Sequence, residues 1–271
     1  MASTISRLKN IIADSYARAF ARPSFARLNK ALVYLGARGL GVYNLSSSAL
    51  SGEDYLLHRL AATPPATVFD IGANEGDYVE SVHKAFPSAT IYAFEPHPRT
   101  FVRLQERTGS TAKCFNLACD KEIGSFELHD LAGEKGTQLA SLSREALLPL
   151  GRPIESFLIK SITLDEFCAQ NKIDRIDLLK IDTEGNERRV LEGAARLLSE
   201  GRIDCIQFEF NEMNVASRSF MMDFIKLLPR HRLYRLLPNG LLPIQKYSPF
   251  FGEMFGYQNI VAFVGEQLRQ P

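Results

Sequence analysis

The chain has 271 residues, of which 45% are hydrophobic and 23% charged, as expected for one large globular domain or two small ones. Its 32 Lys and Arg residues nearly balance 31 Asp and Glu residues, so no general basic excess favours nucleic acid as a partner. No run approaches the roughly 18 apolar residues of a membrane span, and the four cysteines form no CxxC pair, which favours a reducing, cytoplasmic setting.

The first fifty or so residues are strongly basic, with seven Lys and Arg residues against one acid, Asp14. Apolar residues at helical spacing predict an amphipathic helix from Ser6 to about Phe20, and Pro23 opens a second helix that runs to about Leu35. We therefore expect a helical extension over residues 1–55. It is interpreted as an arm packed on the core or on another subunit of a homo-oligomer, as a peripheral contact with an anionic membrane, or as an organelle transit peptide.

From residue 67 onward, short β-branched runs alternate with helical patterns. Strands are predicted at Thr67–Ile71, Thr90–Phe94, Lys113–Ala118, Ile176–Ile181, Ile203–Phe210, His231–Leu237 and Asn259–Val264. Helices are predicted at Asp77–Phe86, Pro98–Thr108, Asn186–Glu200 and Ser219–Leu228. This alternation indicates an α/β domain over residues 56–271 with a doubly wound, mostly parallel, seven-stranded, Rossmann-like sheet. Residues 124–162 break the rhythm and are predicted to form a short hairpin and a polar loop, Ala132–Ser143, as a cap or insertion.

The first predicted strand ends in a glycine turn, Asp70-Ile71-Gly72-Ala73-Asn74-Glu75-Gly76, ahead of a helix. Gly72 and Gly76 let the backbone approach a ligand closely. A dinucleotide fingerprint requires a glycine where Asn74 stands, and a P-loop requires a Gly-Lys pair that is missing here. The acids that flank the turn would repel phosphates and suit a ligand with positive charge and hydroxyl groups, such as S-adenosylmethionine.

The second predicted strand ends in Glu95-Pro96-His97, about 25 residues after the first motif. An acid at this position is placed to accept hydrogen bonds from a ribose diol. His97 is expected near the adenosine. Asp120, after the third strand, is expected either to reach an adenine amino group or to form a turn.

A second acidic cluster follows the strand Ile176–Ile181, in the run Asp182-Thr183-Glu184-Gly185-Asn186-Glu187. The next strand ends in Glu209-Phe210-Asn211. If these two strands are neighbours, Asp182, Glu184, Glu209 and Asn211 converge at the carboxyl edge of the sheet, where open α/β sheets bind ligands.

Five blocks now stand in order: the Asp70–Gly76 turn, Phe94-Glu95-Pro96, Leu164-Asp165-Glu166-Phe167, the segment 179–187, and Val190-Leu191-x-Gly193-Ala194. Together they resemble the FkbM family of methyltransferases over roughly residues 66–212. The resemblance implies a class I methyltransferase fold, S-adenosylmethionine as methyl donor, and O-methylation of a hydroxyl on a sugar, a glycolipid or a natural product. The basic extension and the last sixty residues match no motif of the family, so they leave the acceptor open.

The predicted site residues fall into two groups. Cofactor contacts are expected from Asp70, Gly72, Asn74, Gly76, Glu95, Pro96, His97, Asp120 and Asp182. Catalytic roles are expected for Asp182, Glu184 and Glu209, with Glu209 as the base that takes the hydroxyl proton. A divalent metal bound by the clustered carboxylates is an alternative that we do not favour. Two other functions remain open, an inactive scaffold that retains the fold and, less favoured, a nucleic-acid methyltransferase.

Overall fold

The computed structural model describes residues 2–133, 136–137, 140–142, 144–244 and 246–265. Its centre is an eight-stranded sheet in the order β10-β9-β11-β8-β7-β1-β2-β3. The strands are β1 (Thr67–Ile71), β2 (Thr90–Phe94), β3 (Lys113–Phe115), β4 (Ala118–Cys119), β5 (Gly124–Leu131), β6 (Ile154–Ile162), β7 (Ile176–Ile181), β8 (Ile203–Phe210), β9 (His231–Leu237), β10 (Gly240–Pro243) and β11 (Gln258–Val264). The run from β3 to β8 is parallel, and β11 lies antiparallel between β8 and β9.

Helices cover both faces of this sheet. They are α1 (Ala2–Phe20), α2 (Ala26–Gly39), α3 (Ser48–Ser51), α4 (Glu53–Leu60), α5 (Asp77–Ala85), α6 (Pro98–Thr108), α7 (Arg144–Leu147), α8 (Leu164–Gln170), α9 (Glu187–Glu192), α10 (Ala195–Ser199), α11 (Met213–Ala216), α12 (Met221–Leu227) and α13 (Pro249–Gly252). Side chains of α8, α9, α10 and α12 pack into one core, and those of α4, α5 and α6 into the other. The doubly wound α/β fold predicted from the sequence is confirmed.

The central strands form because they are buried on both sides. In β1, Val68 belongs to one core while Phe69 and Ile71 belong to the other, and this two-sided burial explains the continuous apolar runs. Seven strands match the predicted ones in place. The sheet has an eighth, β10, which the sequence did not predict because its four residues follow a tight turn and pair only with β9 at the sheet edge.

Two predicted elements are divided. The run predicted as one strand over 113–118 splits into β3, in the main sheet, and β4, which pairs with β6 in a separate three-stranded sheet. The helix predicted over 186–200 is divided at Gly193 into α9 and α10. Gly193 lies against the backbone of Asp120, where a side chain would clash. Helix α8 contains one of the family-like motifs but was not predicted as a helix.

The segment 124–162 is a long antiparallel ladder rather than a short hairpin. β5 pairs with β6 from Gly124 opposite Ser161 to Leu131 opposite Ile154. The connection between the two strands includes the predicted polar loop. In that loop, residues 134, 135, 138, 139 and 143 lie outside the described residues.

The N-terminal residues form the two predicted helices, separated by a short turn of 3-10 helix at Pro23–Phe25. At that turn Phe20 stacks on Tyr16 and meets Phe25 edge to face, and Tyr16 Oη donates a hydrogen bond to Asn29 Oδ1 (2.6 Å). Helix α2 runs on to Gly39, past the predicted end at Leu35. The predicted domain boundary at residue 55 falls inside α4, whose Leu56 is fully buried in the core. In the part of the chain that the structure describes, no helix is long and apolar enough to cross a membrane.

Candidate active site

The glycine turn after β1 brings two strand ends into contact. Gly72 has a φ of +81°, and a Cβ at this position would overlap the carbonyl oxygen of Asp182 after β7. Asn74 also lies in the left-handed region, with a φ of 47°, which Asn tolerates better than most residues. The Asn74 conformation explains how the turn forms without the glycine of a dinucleotide motif.

Asp70 presents a buried carboxylate at this turn. Its side chain is fully buried, and neither Oδ1 nor Oδ2 has a hydrogen-bond partner among the described residues. The Nζ atom of Lys180 lies 3.8 Å from Oδ1. Burial raises the pKa of Asp70 to about 6, although Lys180 opposes this rise. A buried carboxylate without donors is the complement of a cationic, hydrogen-bonding ligand.

Glu95 stands at the end of β2, on the other side of the turn. Its Oε2 accepts a hydrogen bond from the backbone N–H of Asn74 (2.9 Å), and its Oε1 accepts one from that of His97 (2.8 Å). Burial raises the pKa of Glu95 to about 7, and the two backbone hydrogen bonds limit the rise. Glu95 and Pro96 both line the same cavity as Asp70.

Three other predicted cofactor contacts do not line this cavity. Gly76 packs against α6, where a Cβ would overlap the side chain of Thr108. His97 is buried against Phe157, with its ring centroid 4.4 Å away, and Nδ1 accepts hydrogen bonds from the first backbone N–H groups of α6. Asp120 is fully buried and engaged by Arg189 Nη2, Arg189 Nε (2.9 Å) and Asn186 Nδ2 (3.1 Å). His97 and Asp120 are therefore held by neighbouring protein groups outside the lining of the cavity.

The second acidic cluster forms as the strand order requires. Because β7 and β8 are parallel neighbours, Asp182, Glu184 and Glu209 come together, with one carboxylate oxygen of each within 4.8 Å of the others. Burial and the negative charge of Asp182 raise the pKa of Glu184 to about 8 and that of Glu209 well above its ordinary value. The two glutamates therefore compete for ionisation and titrate as a pair.

Asn211 holds this pair of glutamates. Its Nδ2 donates hydrogen bonds to Glu209 Oε1 and to Glu184 Oε2 (3.3 Å). Its own Oδ1 accepts a hydrogen bond from the backbone N–H of Met213 (2.8 Å), which fixes the orientation of the amide. Glu184 has a φ of 52°, and backbone conformations of this kind in non-glycine residues cluster at functional sites.

Lys180 is a site residue that the sequence interpretation missed. A lone Lys inside a strand more often faces solvent, but the Lys180 side chain is buried, with Nζ 3.0 Å from Asp182 Oδ2. The strand register places Lys180 between Asp70 on β1 and Gln207 on β8, so the three form one polar row on a single sheet face. Burial disfavours the charged form of Lys180, but Asp182 and Asp70 outweigh it and raise its pKa.

The Asp70 and Glu95 pair and the cluster of Asp182, Glu184 and Glu209 form two acidic groups that line one cavity. This cavity has a volume of about 750 Å³, within the size range of small-molecule sites. The predicted residues that line it are Asp70, Gly72, Asn74, Glu95, Pro96, Asp182, Glu184 and Glu209. Leu128, Thr137, Ala140 and Leu142 line it from the segment 124–162, so that segment covers the site. Glu53 on α4 also lines the cavity and accepts a hydrogen bond from Gln207 Nε2 (2.9 Å).

A sequence model of the Methyltransferase FkbM domain matches residues 70–236 of the chain. The chain belongs to the FkbM methyltransferase family. The match includes both acidic groups of the site. The protein is therefore an S-adenosylmethionine-dependent methyltransferase, as the motifs led us to expect.

Three curated relatives share this domain. The 2-O-methyltransferase NoeI of Sinorhizobium fredii is 25% identical over 195 residues, covering 67% of this chain and 79% of NoeI. The 31-O-demethyl-FK506 methyltransferase FkbM of Streptomyces tacrolimicus is 31% identical over 51% of this chain and 63% of its own length. The hexuronic acid methyltransferase AglP of Haloferax volcanii is 30% identical over 55% of this chain and 59% of its own length. The chain thus spans less than two thirds of the last two.

Proposed function

We propose that this FkbM-family protein transfers the methyl group of S-adenosylmethionine to a hydroxyl oxygen of a sugar. The observation that carries this proposal is that one cavity holds both the Asp70 carboxylate, which has no hydrogen-bond partner among the described residues, and the cluster of Asp182, Glu184 and Glu209. One group suits a cationic cofactor and the other suits removal of a proton from an acceptor.

The cofactor half consists of the two strand ends around Gly72. S-adenosylmethionine carries an ammonium group, a sulfonium and a ribose diol, and it supplies a methyl group already activated by positive charge. Asp70 would accept hydrogen bonds from the ammonium, because both its oxygens lack other donors. Glu95 would accept the diol hydrogens while the backbone of Asn74 and His97 holds its carboxylate in place. Asp182 lies between this half and the acceptor half, paired with Lys180.

The acceptor half supplies a base. As the acceptor oxygen forms its bond to the methyl carbon, the hydroxyl proton must leave, and Glu209 would take it. Burial and the nearby carboxylates raise the pKa of both glutamates, so Glu209 takes the proton in its ionised form and this form becomes more populated as the pH rises. Asn211 is a positioning residue, since it donates to both glutamates but has no proton to exchange.

A sugar is the acceptor that this cavity supports best. Its acceptor side offers carboxylates, the amide of Asn211 and the hydroxyl of Tyr257, all of which bind hydroxyl groups well. AglP, by its name, acts on a hexuronic acid, and NoeI is named as a 2-O-methyltransferase. A natural product remains the second candidate because FkbM is named for a step on FK506.

Replacement of the proposed base separates binding from chemistry. Glu209→Gln should bind S-adenosylmethionine within about threefold of the parent and lower kcat by about 10²–10⁴-fold, the usual contribution of a general base. Cofactor affinity is measured by calorimetry and turnover by transfer of labelled methyl to uronic acid glycosides. Glu200→Gln, which replaces an exposed glutamate at the C-terminal end of α10, serves as the matched control.

The outcomes of this comparison differ for each interpretation. Turnover unaffected by Glu209→Gln would refute the base assignment. Cofactor binding without turnover on any hydroxylated acceptor would favour the scaffold interpretation, and preferential turnover on an oligonucleotide would favour a nucleic-acid methyltransferase. Absence of cofactor binding at millimolar concentration would contradict the proposal itself.

We also propose that transfer needs no divalent metal. The three clustered carboxylates have the oxygen ligands that Mg²⁺ or Ca²⁺ prefers, but the ammonium of Lys180 already pairs with Asp182 and would be repelled by a second cation. Turnover should therefore stay within about twofold after dialysis against EDTA. Loss of activity that added Mg²⁺, Mn²⁺ or Ca²⁺ restores would show instead that the cluster binds a metal.

A further inference from the structure

The N-terminal helices expose apolar faces that no other part of the described structure covers. On α1, Leu8, Ile11 and Ile12 share one face and are 58%, 55% and 61% exposed. On α2, Leu28, Leu32 and Leu35 share a face and are also exposed. Regular spacing places each set in a stripe along its helix. Stripes of large aliphatic side chains in water indicate a surface that is covered in the working state.

Basic side chains border both stripes. At 3.6 residues per turn, Lys9 lies at one edge of the α1 stripe and Arg7 and Arg18 at the other. Arg27 and Arg38 lie along one edge of the α2 stripe. Residues 1–52 contain seven Lys and Arg residues and the single acid Asp14, whereas the whole chain is nearly neutral. The charge is therefore concentrated next to the exposed apolar faces.

We infer that these two helices dock the enzyme on the surface of an anionic phospholipid bilayer. An apolar stripe bordered by Lys and Arg suits the boundary between acyl chains and negative headgroups, with the apolar side chains inserted and the cations at the phosphates. A second copy of the chain is a poorer partner for the same faces, because it would bring two sets of seven cations together.

Docking at this surface also bears on the active site. The chain leaves α2 at Gly39 and within nine residues supplies Leu45, Ser47 and Ser48 to the lining of the active-site cavity. The backbone N–H of Tyr43 donates a hydrogen bond to the carbonyl of Tyr257 (2.7 Å), another lining residue, which ties the connection to the site. If the proposed function holds, the cavity lies close to the bilayer and its sugar acceptor is part of a glycolipid.

Vesicle binding tests the docking independently of methyl transfer, because it needs neither cofactor nor acceptor. The full chain is sedimented with vesicles of phosphatidylcholine alone and with vesicles that contain about one third phosphatidylglycerol. It should bind the anionic vesicles, bind neutral ones at least about tenfold more weakly, and be released as salt screens the charges.

Two pairs of variants locate the contact. Ile11→Asn with Ile12→Asn should weaken binding at least about tenfold through lost apolar insertion. Lys9→Gln with Arg18→Gln should weaken it about 30-fold through two lost headgroup contacts. Leu158→Asn, which replaces an aliphatic side chain 79% exposed on β6, and Lys84→Gln on α5 are the matched controls and should bind like the parent.

Three results would overturn the inference. One is the absence of binding to anionic vesicles at low salt. Another is vesicle binding that stays unchanged in both double variants, Ile11→Asn with Ile12→Asn and Lys9→Gln with Arg18→Gln. The third is a parent chain that sediments as a dimer while Ile11→Asn with Ile12→Asn is a monomer, which would make these helices a subunit interface. Failure of methyl transfer with vesicle binding intact would contradict the proposed function alone.

Discussion

Asp70 is a site residue whose buried carboxylate receives no hydrogen bond from the described part of the protein. Its buried carboxylate has no hydrogen-bond donor among the described residues, so its energy depends on what the cavity binds. Asp70→Asn keeps the size of the side chain and removes the charge. It should weaken S-adenosylmethionine binding by about 10²-fold, in line with the roughly 1.5–3 kcal/mol of a hydrogen bond to a charged group. Calorimetric titration with the cofactor measures this loss.

The control for this variant is Asp174→Asn, which removes an exposed carboxylate from the loop before β7. It should bind the cofactor like the parent. Parent-like affinity of Asp70→Asn would show that Asp70 serves only its ion pair with Lys180, and the proposed ammonium contact would be wrong.

Site residues at the ends of strands were easier to predict from the sequence than site residues inside strands. The sequence predicts four acids as site residues because each lies at the end of an apolar run: Asp70, Glu95, Asp182 and Glu209. Lys180 was not predicted, since a lone Lys in a strand more often points to solvent. The strand register places it between Asp70 and Gln207 of the neighbouring strands. The local sequence does not show which residues of other strands will be its neighbours. The partner of Asp120 is equally hidden from the local sequence, because Arg189, which donates two hydrogen bonds to it, lies 69 residues away.

Gly72 joins two elements, β1 and β7, at the place where both contribute to the site. Its positive φ and the closeness of the Asp182 carbonyl leave no room for a Cβ. Gly72→Ala should therefore lower the free energy of unfolding by about 2–4 kcal/mol, as expected for backbone strain combined with a clash. Denaturant titration followed by circular dichroism measures this effect.

Gly36→Ala is the matched control, because Gly36 lies within helix α2 and a methyl group added there would meet no neighbouring atom within 4 Å. It should leave stability unchanged or raise it by up to about 1 kcal/mol, since Ala favours helix over Gly. If the two variants have equal stability, the close approach of β1 and β7 does not exist in solution.

Both ends of a strand were predicted correctly where the neighbouring sequence marks them. They were not predicted where the strand is defined by pairing with a distant part of the chain. Strands β1, β2, β7 and β8 are apolar runs bounded by turn residues, so both their ends are visible in the sequence. Strand β4 belongs to the sheet of β6, more than thirty residues further along the chain, and β10 exists only as the edge partner of β9. Pairing over such distances depends on the whole fold, which local periodicity does not report.

At the scale of the whole molecule, ionisation of the buried carboxyl groups in the site destabilises the folded protein. The pKa is raised to about 6 for Asp70, about 7 for Glu95 and about 8 for Glu184, and it is raised also for Glu209. A carboxyl group with a higher pKa in the folded state binds protons more tightly there than in the unfolded chain. Its stabilising contribution is complete below the unfolded pKa and is lost as the pH rises through the folded pKa.

The ligand-free enzyme should therefore lose stability as the pH rises from about 4, near the unfolded pKa of these carboxyl groups, to about 8, and the part of this loss above about pH 6.5 should be about 2–4 kcal/mol or roughly 5–10 °C in Tm. Differential scanning calorimetry across this range checks the slope. Glu184→Gln with Glu209→Gln should flatten it, because neutral amides cannot ionise, whereas Glu200→Gln should follow the parent. Saturation with S-adenosylmethionine should also raise Tm more at high pH than at low pH, since the cationic cofactor favours ionised Asp70. A Tm that is constant in the parent, or falls equally in the double variant, would mean that these carboxyl groups ionise freely in the folded protein and that the site is open to water.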